Sequence, residues 1–212
     1  MYTIKEIYYT LQGEGRHTGR PAVFLRFAGC NLWTGREMDR SKAICQFCDT
    51  DFVGTNGPMG SKYRNPLSLS RAVEKVWTDA VVTDENRFVV CTGGEPLLQL
   101  DSEAIEALHQ RDFKVAVETN GTISPPKGID WTCVSPKAHS DLLITEGDEL
   151  KLVFPQVGAE PKRYEHLQFN HFSLQPMDGP HLTANTAEAI TYSLKNPKWT
   201  LSTQTHKILG IE

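Results

Sequence analysis

Apolar and β-branched residues along this chain gather into short runs, each closed by turn residues, which is the pattern of buried strands. The runs are "AVFLRFAG" (22–29), "RFVVCTGG" (87–94), "KVAVETNG" (114–121), "WTCVSP" (131–136), "ELKLVFP" (149–155), "HFSLQPMDG" (171–179) and "WTLSTQTH" (199–206). Helical spacing of apolar residues appears between several of them, in "LSRAVEKVW" (69–77) and "TAEAITYSLKN" (186–196). A third stretch, "DSEAIEALHQR" (101–111), opens on Asp101 as an N-cap and carries acidic residues in its first turn, where the helix dipole favours them. Strands alternating with helices predict a mainly parallel α/β sheet. Connections such as 119–130 are too short for a proper helix, so the expectation is an incomplete TIM-like barrel of about six parallel strands with few helices. Residues 54–66 are rich in Gly and Pro and read as a loop, and no internal repeat or linker interrupts the chain. The whole of 1–212 is expected to form a single domain.

Polar and glycine-rich signatures close strand after strand: AGC, TGGEP, ETNG, SPK, QPMD and QTHK. In parallel α/β folds the C-terminal strand ends converge on the active site, so these endings are expected to share one cavity.

Charge and composition narrow the partners. The net charge of −4 comes without a Lys/Arg cluster, which excludes a duplex-binding surface but leaves small anionic ligands open. The N-terminal stretch has no apolar core of a signal peptide, and no apolar run is long enough to span a bilayer. Five cysteines make an odd count, and Cys91 and Cys133 lie inside apolar runs as small buried hydrophobes. A disulfide scaffold does not fit, and a reducing, cytoplasmic setting does.

The other three cysteines, Cys30, Cys45 and Cys48, follow C-x14-C-x2-C spacing. Structural zinc takes four ligands, and His17 or His139 could supply a fourth. A 4Fe–4S cluster normally takes four thiolates, so three would leave one iron open to another ligand. The context favours the second arrangement. "CQFCDT" places Phe47 before the last cysteine, and "CTGGEP" (91–96) brings Gly93 and Gly94, where backbone can approach a ligand, beside the carboxylate of Glu95. Glu95 would serve a substrate ammonium or a neighbouring backbone group. Together these stretches resemble the radical S-adenosylmethionine superfamily, although its usual first cysteine spacing is three residues.

A closer likeness covers nearly the whole chain. "YYTLQGEGRHTGRPAVFLRFAGCN" (8–31), "CDT" (48–50), "TGGEP" (92–96), "ETNG" (118–121), "VSPK" (134–137), "QPMDG" (175–179) and "QTHK" (204–207) occur in order and strongly resemble the 7-carboxy-7-deazaguanine synthase (QueE) family, some members of which carry the same long cysteine loop. The resemblance implies a radical S-adenosylmethionine core with its cluster loop at 30–48. The implied reaction converts 6-carboxy-5,6,7,8-tetrahydropterin to 7-carboxy-7-deazaguanine with loss of ammonia. A 5′-deoxyadenosyl radical removes the hydrogen at C6, the ring contracts, and the hydrogen is returned.

Roles carry over motif by motif. Cys30, Cys45 and Cys48 are implied to hold the 4Fe–4S cluster, and Thr50 to ligate Mg²⁺. Phe47, Cys48, Asp49, Gly94, the run Ser135, Pro136 and Lys137, and the run Gln175, Pro176, Met177 and Asp178 match S-adenosylmethionine contacts. Leu11, Gln12, Gly13, Arg26 and Thr92 match pterin contacts, and Arg26 suits the substrate carboxylate because guanidinium can grip it with two parallel bonds. Glu212 is expected at the substrate through its main-chain carboxylate. Glu14, Glu118 and His206, beside these positions, are the expected proton-handling groups. The likeness further implies a homodimer supplied with electrons by a donor such as flavodoxin or ferredoxin, with no nucleic acid or membrane partner. The alternatives are a glycyl-radical-enzyme activase, which would not need LQGEG or QTHK, and a zinc or iron–sulfur binding module.

Overall fold

The computed structural model describes residues 1–83 and 85–211; Glu212, and with it the expected terminal contact to substrate, lies outside the described residues. The chain opens on a strand absent from the seven runs, β1 (Tyr2–Leu11). A bulge between Ile4 and Glu6 shifts its phase, which hides the two-residue alternation that marks a strand. Loop 12–20 returns it antiparallel to β2 (Pro21–Phe27), and its other edge takes the short antiparallel β3 (Ser61–Tyr63), inside the stretch read as loop.

Every later neighbour is parallel: β4 (Phe88–Gly93), β5 (Lys114–Thr119), β6 (Trp131–Val134), β7 (Glu146–Phe154), β8 (Gln168–Pro176) and β9 (Trp199–Leu201). The sheet order is β3-β1-β2-β4-β5-β6-β7-β8-β9, so seven strands run parallel where the pattern predicts about six. The expected helices form as α1 (Pro66–Ala80), α2 (Ser102–His109) and α3 (Leu182–Lys195). Asp101 caps α2 as predicted, accepting the Ala104 N–H at 2.8 Å. Asn65 caps α1, accepting the Ser68 N–H at 2.8 Å, with Pro66 in the first turn where a missing N–H costs nothing.

Alternation along the strands separates two faces. Val89 and Cys91 of β4 join Leu25, Val117, Leu150 and Leu152 in a core that also takes Leu69, Val73 and Trp77 of α1 and Ile105 and Leu108 of α2. The opposite face begins with Ala22, Phe88, Val90 and Ala116. Farther along the sheet it becomes polar and buried, with Glu149 and Lys151 of β7 and Ser173 and Gln175 of β8.

The last run departs from its expected form. It is strand only to Leu201, and Thr205–Leu209 forms the short α4. Thr205 donates both its N–H and its hydroxyl to the Gly13 carbonyl, at 2.9 Å each, and so leaves the ladder. The Gly15 N–H donates to Ser202 Oγ at 2.8 Å, and the Arg16 N–H to the Glu149 carboxylate at 3.0 Å. These bonds curl the sheet and lay loop 12–20 across its polar face.

Candidate active site

The segment leaving β2 carries Cys30, whose Sγ accepts the Leu32 N–H at 3.4 Å. The fourteen residues that follow form a folded excursion. Trp33 packs edge-on to Phe52, and Arg40 lies over the Trp33 ring at 4.0 Å from its centroid. Arg40 also donates to the carbonyls of Gln46 (2.9 Å) and Cys48 (3.0 Å), which brings the chain back on itself. Cys30, Cys45 and Cys48 therefore line one cavity of about 180 Å³ as free thiols. The neighbouring Cys45 thiol pulls the Cys48 pKa below the ordinary thiol value. Among the described residues no three His, Cys, Asp or Glu side chains close on one point as ligands of a single ion would. Cluster thiolates bind separate irons and need no such convergence. No histidine lines this cavity: His17 packs instead on Phe88 and Trp131, with centroids 5.0 and 4.3 Å away, and His139 lies beside Gly158.

The predicted strand endings meet here. Thr92, Gly93 and Gly94 from β4, Ser135 and Lys137 after β6, and the run Gln175–Asp178 at the end of β8 all line the cavity, with Phe47, Asp49 and Thr50 of the cysteine loop. Lys137 Nζ donates to the carbonyl and hydroxyl of Ser135, at 2.7 Å each, and stands 6.0 Å from the Phe47 ring centroid. Pro136 does not line the cavity; its carbonyl accepts from Gln156 behind the wall. Gln175 accepts from Ser202, and the Met177 N–H donates to the Phe154 carbonyl at 2.7 Å. At the rim Lys207 of α4 bridges Asp49 (2.5 Å) and Asp178 (2.6 Å).

Glu95 turns out to serve the backbone. It is fully buried and accepts the Thr119 hydroxyl (2.7 Å), the Asn120 N–H (2.8 Å) and the Leu97 N–H (3.0 Å). Burial raises its pKa, against these bonds. Asn120 reaches on to Asn31 at 3.0 Å, so the end of β5 is joined to the cysteine loop. Glu95→Ala would strand three buried donors, and we expect it to lower the unfolding free energy by about 3 kcal/mol or more in a denaturant titration. A loss below about 1 kcal/mol would show the carboxylate to be dispensable.

A second cavity, of about 360 Å³, adjoins the first and shares Glu14, Asp49, Thr50, Thr92, Glu118 and Gln204 with it. Leu11, Gln12, Gly13, Arg26 and His206 line this compartment and not the first. Arg26 is held by Glu6, through Nε at 2.7 Å, and by the Tyr8 hydroxyl, through Nη2 at 2.7 Å. Gly13 lies against His206 so closely that a Cβ would stand 2.2 Å from Nδ1. On the shared wall Lys151 donates to Glu14 (2.6 Å) and Glu118 (3.1 Å). Burial works to raise the Glu14 pKa, yet the Lys151 ammonium overrides it and holds it at about 2. Lys151 is the site residue that motif reading passes over, and Gln204 and Lys207 join the site from the QTHK motif, in which only His206 is assigned a role. Lys151 still carries a signal, since alternation in "ELKLVF" sets a lysine and a glutamate on the face opposite the leucines.

No family model matches the chain. It is 59% identical over 210 residues to the 7-carboxy-7-deazaguanine synthase of Caulobacter vibrioides and 58% identical over 210 residues to that of Bradyrhizobium diazoefficiens, covering 99% of every chain. The Haemophilus influenzae protein of the same name is 31% identical over 229 residues, covering 100% of this chain and 94% of its own. Among solved structures, QueE from Escherichia coli shares the fold with a TM-score of 0.72 at 24% identity, over 96% of this chain and 93% of that one.

Proposed function

This chain belongs to the 7-carboxy-7-deazaguanine synthase family, and on that premise we propose how its residues carry the reaction. The enzyme is a radical S-adenosylmethionine lyase of queuosine-type 7-deazapurine biosynthesis. It contracts the ring of 6-carboxy-5,6,7,8-tetrahydropterin to 7-carboxy-7-deazaguanine and releases ammonia. Its cofactors are a 4Fe–4S cluster, S-adenosylmethionine and Mg²⁺, which when bound supply the radical chemistry and a Lewis acid.

The residues present fit those groups. Three free thiols stand at one cavity, and Gly93 and Gly94 leave the neighbouring wall bare of side chains. Cys30, Cys45 and Cys48 would hold the cluster. Phe47, Asp49, Gly94, Ser135, Lys137 and the run Gln175–Asp178 would hold S-adenosylmethionine, with Pro136 fixing the Ser135–Lys137 turn. Thr50, at the junction of the two cavities, would offer its hydroxyl to Mg²⁺, which commonly takes few protein ligands. The second compartment would receive the pterin. Gln12 and Thr92 supply polar edges there, Leu11 and Gly13 shape the wall, and the Arg26 N–H groups not taken by Glu6 and Tyr8 would meet the substrate carboxylate. Glu14, Glu118 and His206 would handle protons. On the same reading the curled sheet is a partial TIM-like barrel, the chain is one radical S-adenosylmethionine domain, and it works as a cytoplasmic homodimer fed by flavodoxin or ferredoxin. No helix among the described residues is long and apolar enough to cross a membrane.

The observation that carries these assignments is the meeting of three free cysteines with the six strand-end motifs at two adjoining cavities that share Thr50 and Thr92. The test is anaerobic reconstitution followed by incubation with the carboxytetrahydropterin. The parent should make 7-carboxy-7-deazaguanine and ammonia, and Arg26→Ala should raise the pterin KM by about ten-fold or more, on the order of 1.4 kcal/mol. Parental pterin kinetics in Arg26→Ala would move the carboxylate site elsewhere, and a reconstituted parent that ignores the pterin would favour the activase.

A further inference from the structure

We infer that Lys151 is a positioning residue for ammonia release, one buried ammonium that fixes Glu14 and Glu118 as a pair on the wall between the two compartments. The inference rests on the pterin occupying the second compartment. Lys151 is 3% exposed and projects from the middle of β7 onto the polar face. Its Nζ takes one oxygen of each carboxylate, Oε2 of Glu14 and Oε2 of Glu118. The other two oxygens are also held: Gln204 Nε2 donates to Glu14 Oε1 at 2.9 Å, and Gln12 Nε2 to Glu118 Oε1 at 2.8 Å. Gln12 Oε1 in turn accepts the Glu14 N–H at 3.1 Å. Loop 12–20, β5, β7 and the segment after β9 are thereby locked around a single ammonium. Both carboxylates line both cavities, whereas Lys151 lines only the cysteine side.

Two carboxylates facing one ammonium leave a net charge of −1 toward the second compartment. A departing amine supplies the missing positive charge. In ammonia loss a ring carbon gives up a proton and its C–H electron pair becomes a C=C bond. The C–N pair leaves with the nitrogen, which takes the proton up. A carboxylate that accepts the first proton can deliver it to the nitrogen, so atoms and charge balance with no further reactant. Without Lys151, two half-buried carboxylates would face each other and one would hold a proton above the ordinary carboxylate range. The other titratable groups on the walls around the pair include Arg26 of β2, Asp49 of the cysteine loop, Cys133 of β6, Lys137 beyond β6, Glu149 of β7, His17 of loop 12–20, and His206 and Lys207 of α4. Among the described residues none of these hydrogen-bonds either carboxylate.

The test compares reconstituted parent, Lys151→Met and Lys151→Arg for iron content, pterin KM and kcat across pH. We expect Lys151→Met to keep its iron and, within a few-fold, its pterin KM, but to lose about 100-fold in kcat at neutral pH. Its acidic limb should move up by about one pH unit or more, so that raising the pH recovers rate, and Lys151→Arg should restore most of both. An acidic limb that stays in place, or an Arg variant no better than Met at parental iron content, overturns the inference alone. A parent that does not turn over the pterin overturns the reading beneath it as well. If Lys151→Met loses its iron, the double variant Lys151→Met/Glu118→Gln, which restores the net charge of the group, decides. Recovered iron with kcat still about ten-fold down or lower supports the inference, and parental kcat or unrecovered iron overturns it.

Discussion

Replacing Cys45 by alanine should leave a chain that folds, retains little iron and makes no product, while Cys91→Ala matches the parent in both measures. Cys45 is buried at the wall of the first cavity beside Cys48 and is proposed as the sole protein ligand of one iron. Its removal leaves that iron without an anchor, and beyond the other two ligands the only thiol in the described lining is Cys133 of β6, which is fixed in the sheet. Cys91 lies on the opposite face of β4, in the main core, with burial pushing its thiol up to about 12. Its truncation removes one sulfur from an apolar contact, a cost of about 1 kcal/mol that a domain of this size tolerates. Iron and sulfide per chain after anaerobic reconstitution, read beside product formation, separate the two variants. Iron loss in Cys91→Ala equal to that in Cys45→Ala would reassign the ligands.

Gly94→Ala should abolish iron retention although all three proposed cluster cysteines remain in place. An added Cβ at Gly94 would stand 2.1 Å from the Gly29 carbonyl oxygen and 2.9 Å from the Cys30 Cβ. Neither neighbour is free to retreat: the Gly29 carbonyl accepts the Glu95 N–H at 2.9 Å, and Glu95 is itself fixed by its bonds to Thr119, Asn120 and Leu97. Relief requires the ends of β2 and β4 to part, which carries Cys30 away from Cys45 and Cys48. We expect iron per chain to fall to background and the melting temperature to drop by about 10 °C, as a loss of several kcal/mol would give. Parental iron content and melting temperature in Gly94→Ala would show that the strand ends yield easily.

What sequence reading captured is what lies close together along the chain. Each parallel strand could be read because an apolar run met its own turn residues, and the motifs closing those strands do gather at one cavity. β1 escaped because its bulge breaks the alternation, and α4 because Thr205 leaves the ladder for Gly13, a partner 192 residues away. The same distance hides the heart of the site. Gln12 meets Glu118 across 106 positions and Lys151 meets Glu14 across 137, and no local pattern announces such pairs. The long cysteine spacing was equally mute: that Arg40 stacks on Trp33 and draws the Cys48 carbonyl back is a matter of packing, not of count. Glu95 shows the converse, a conspicuous carboxylate in a ligand-like motif whose bonds all go to its own chain.

The bonds between Gly13 and Thr205 and between Gly15 and Ser202 also bear on the order in which the enzyme comes into being. Synthesis proceeds from the N-terminus, so loop 12–20 leaves the ribosome long before its partners at 202–205 exist. Through most of that interval the polar face of the sheet lacks the segment that will seal it, and Glu14 lacks Gln204. Nascent domains expose such unfinished surfaces to chaperones and proteases. Cysteines 30, 45 and 48, by contrast, are all made early, so the thiols wait beside an open trough. The closing of that trough is confined to the period after the strand at 199–201 has been made.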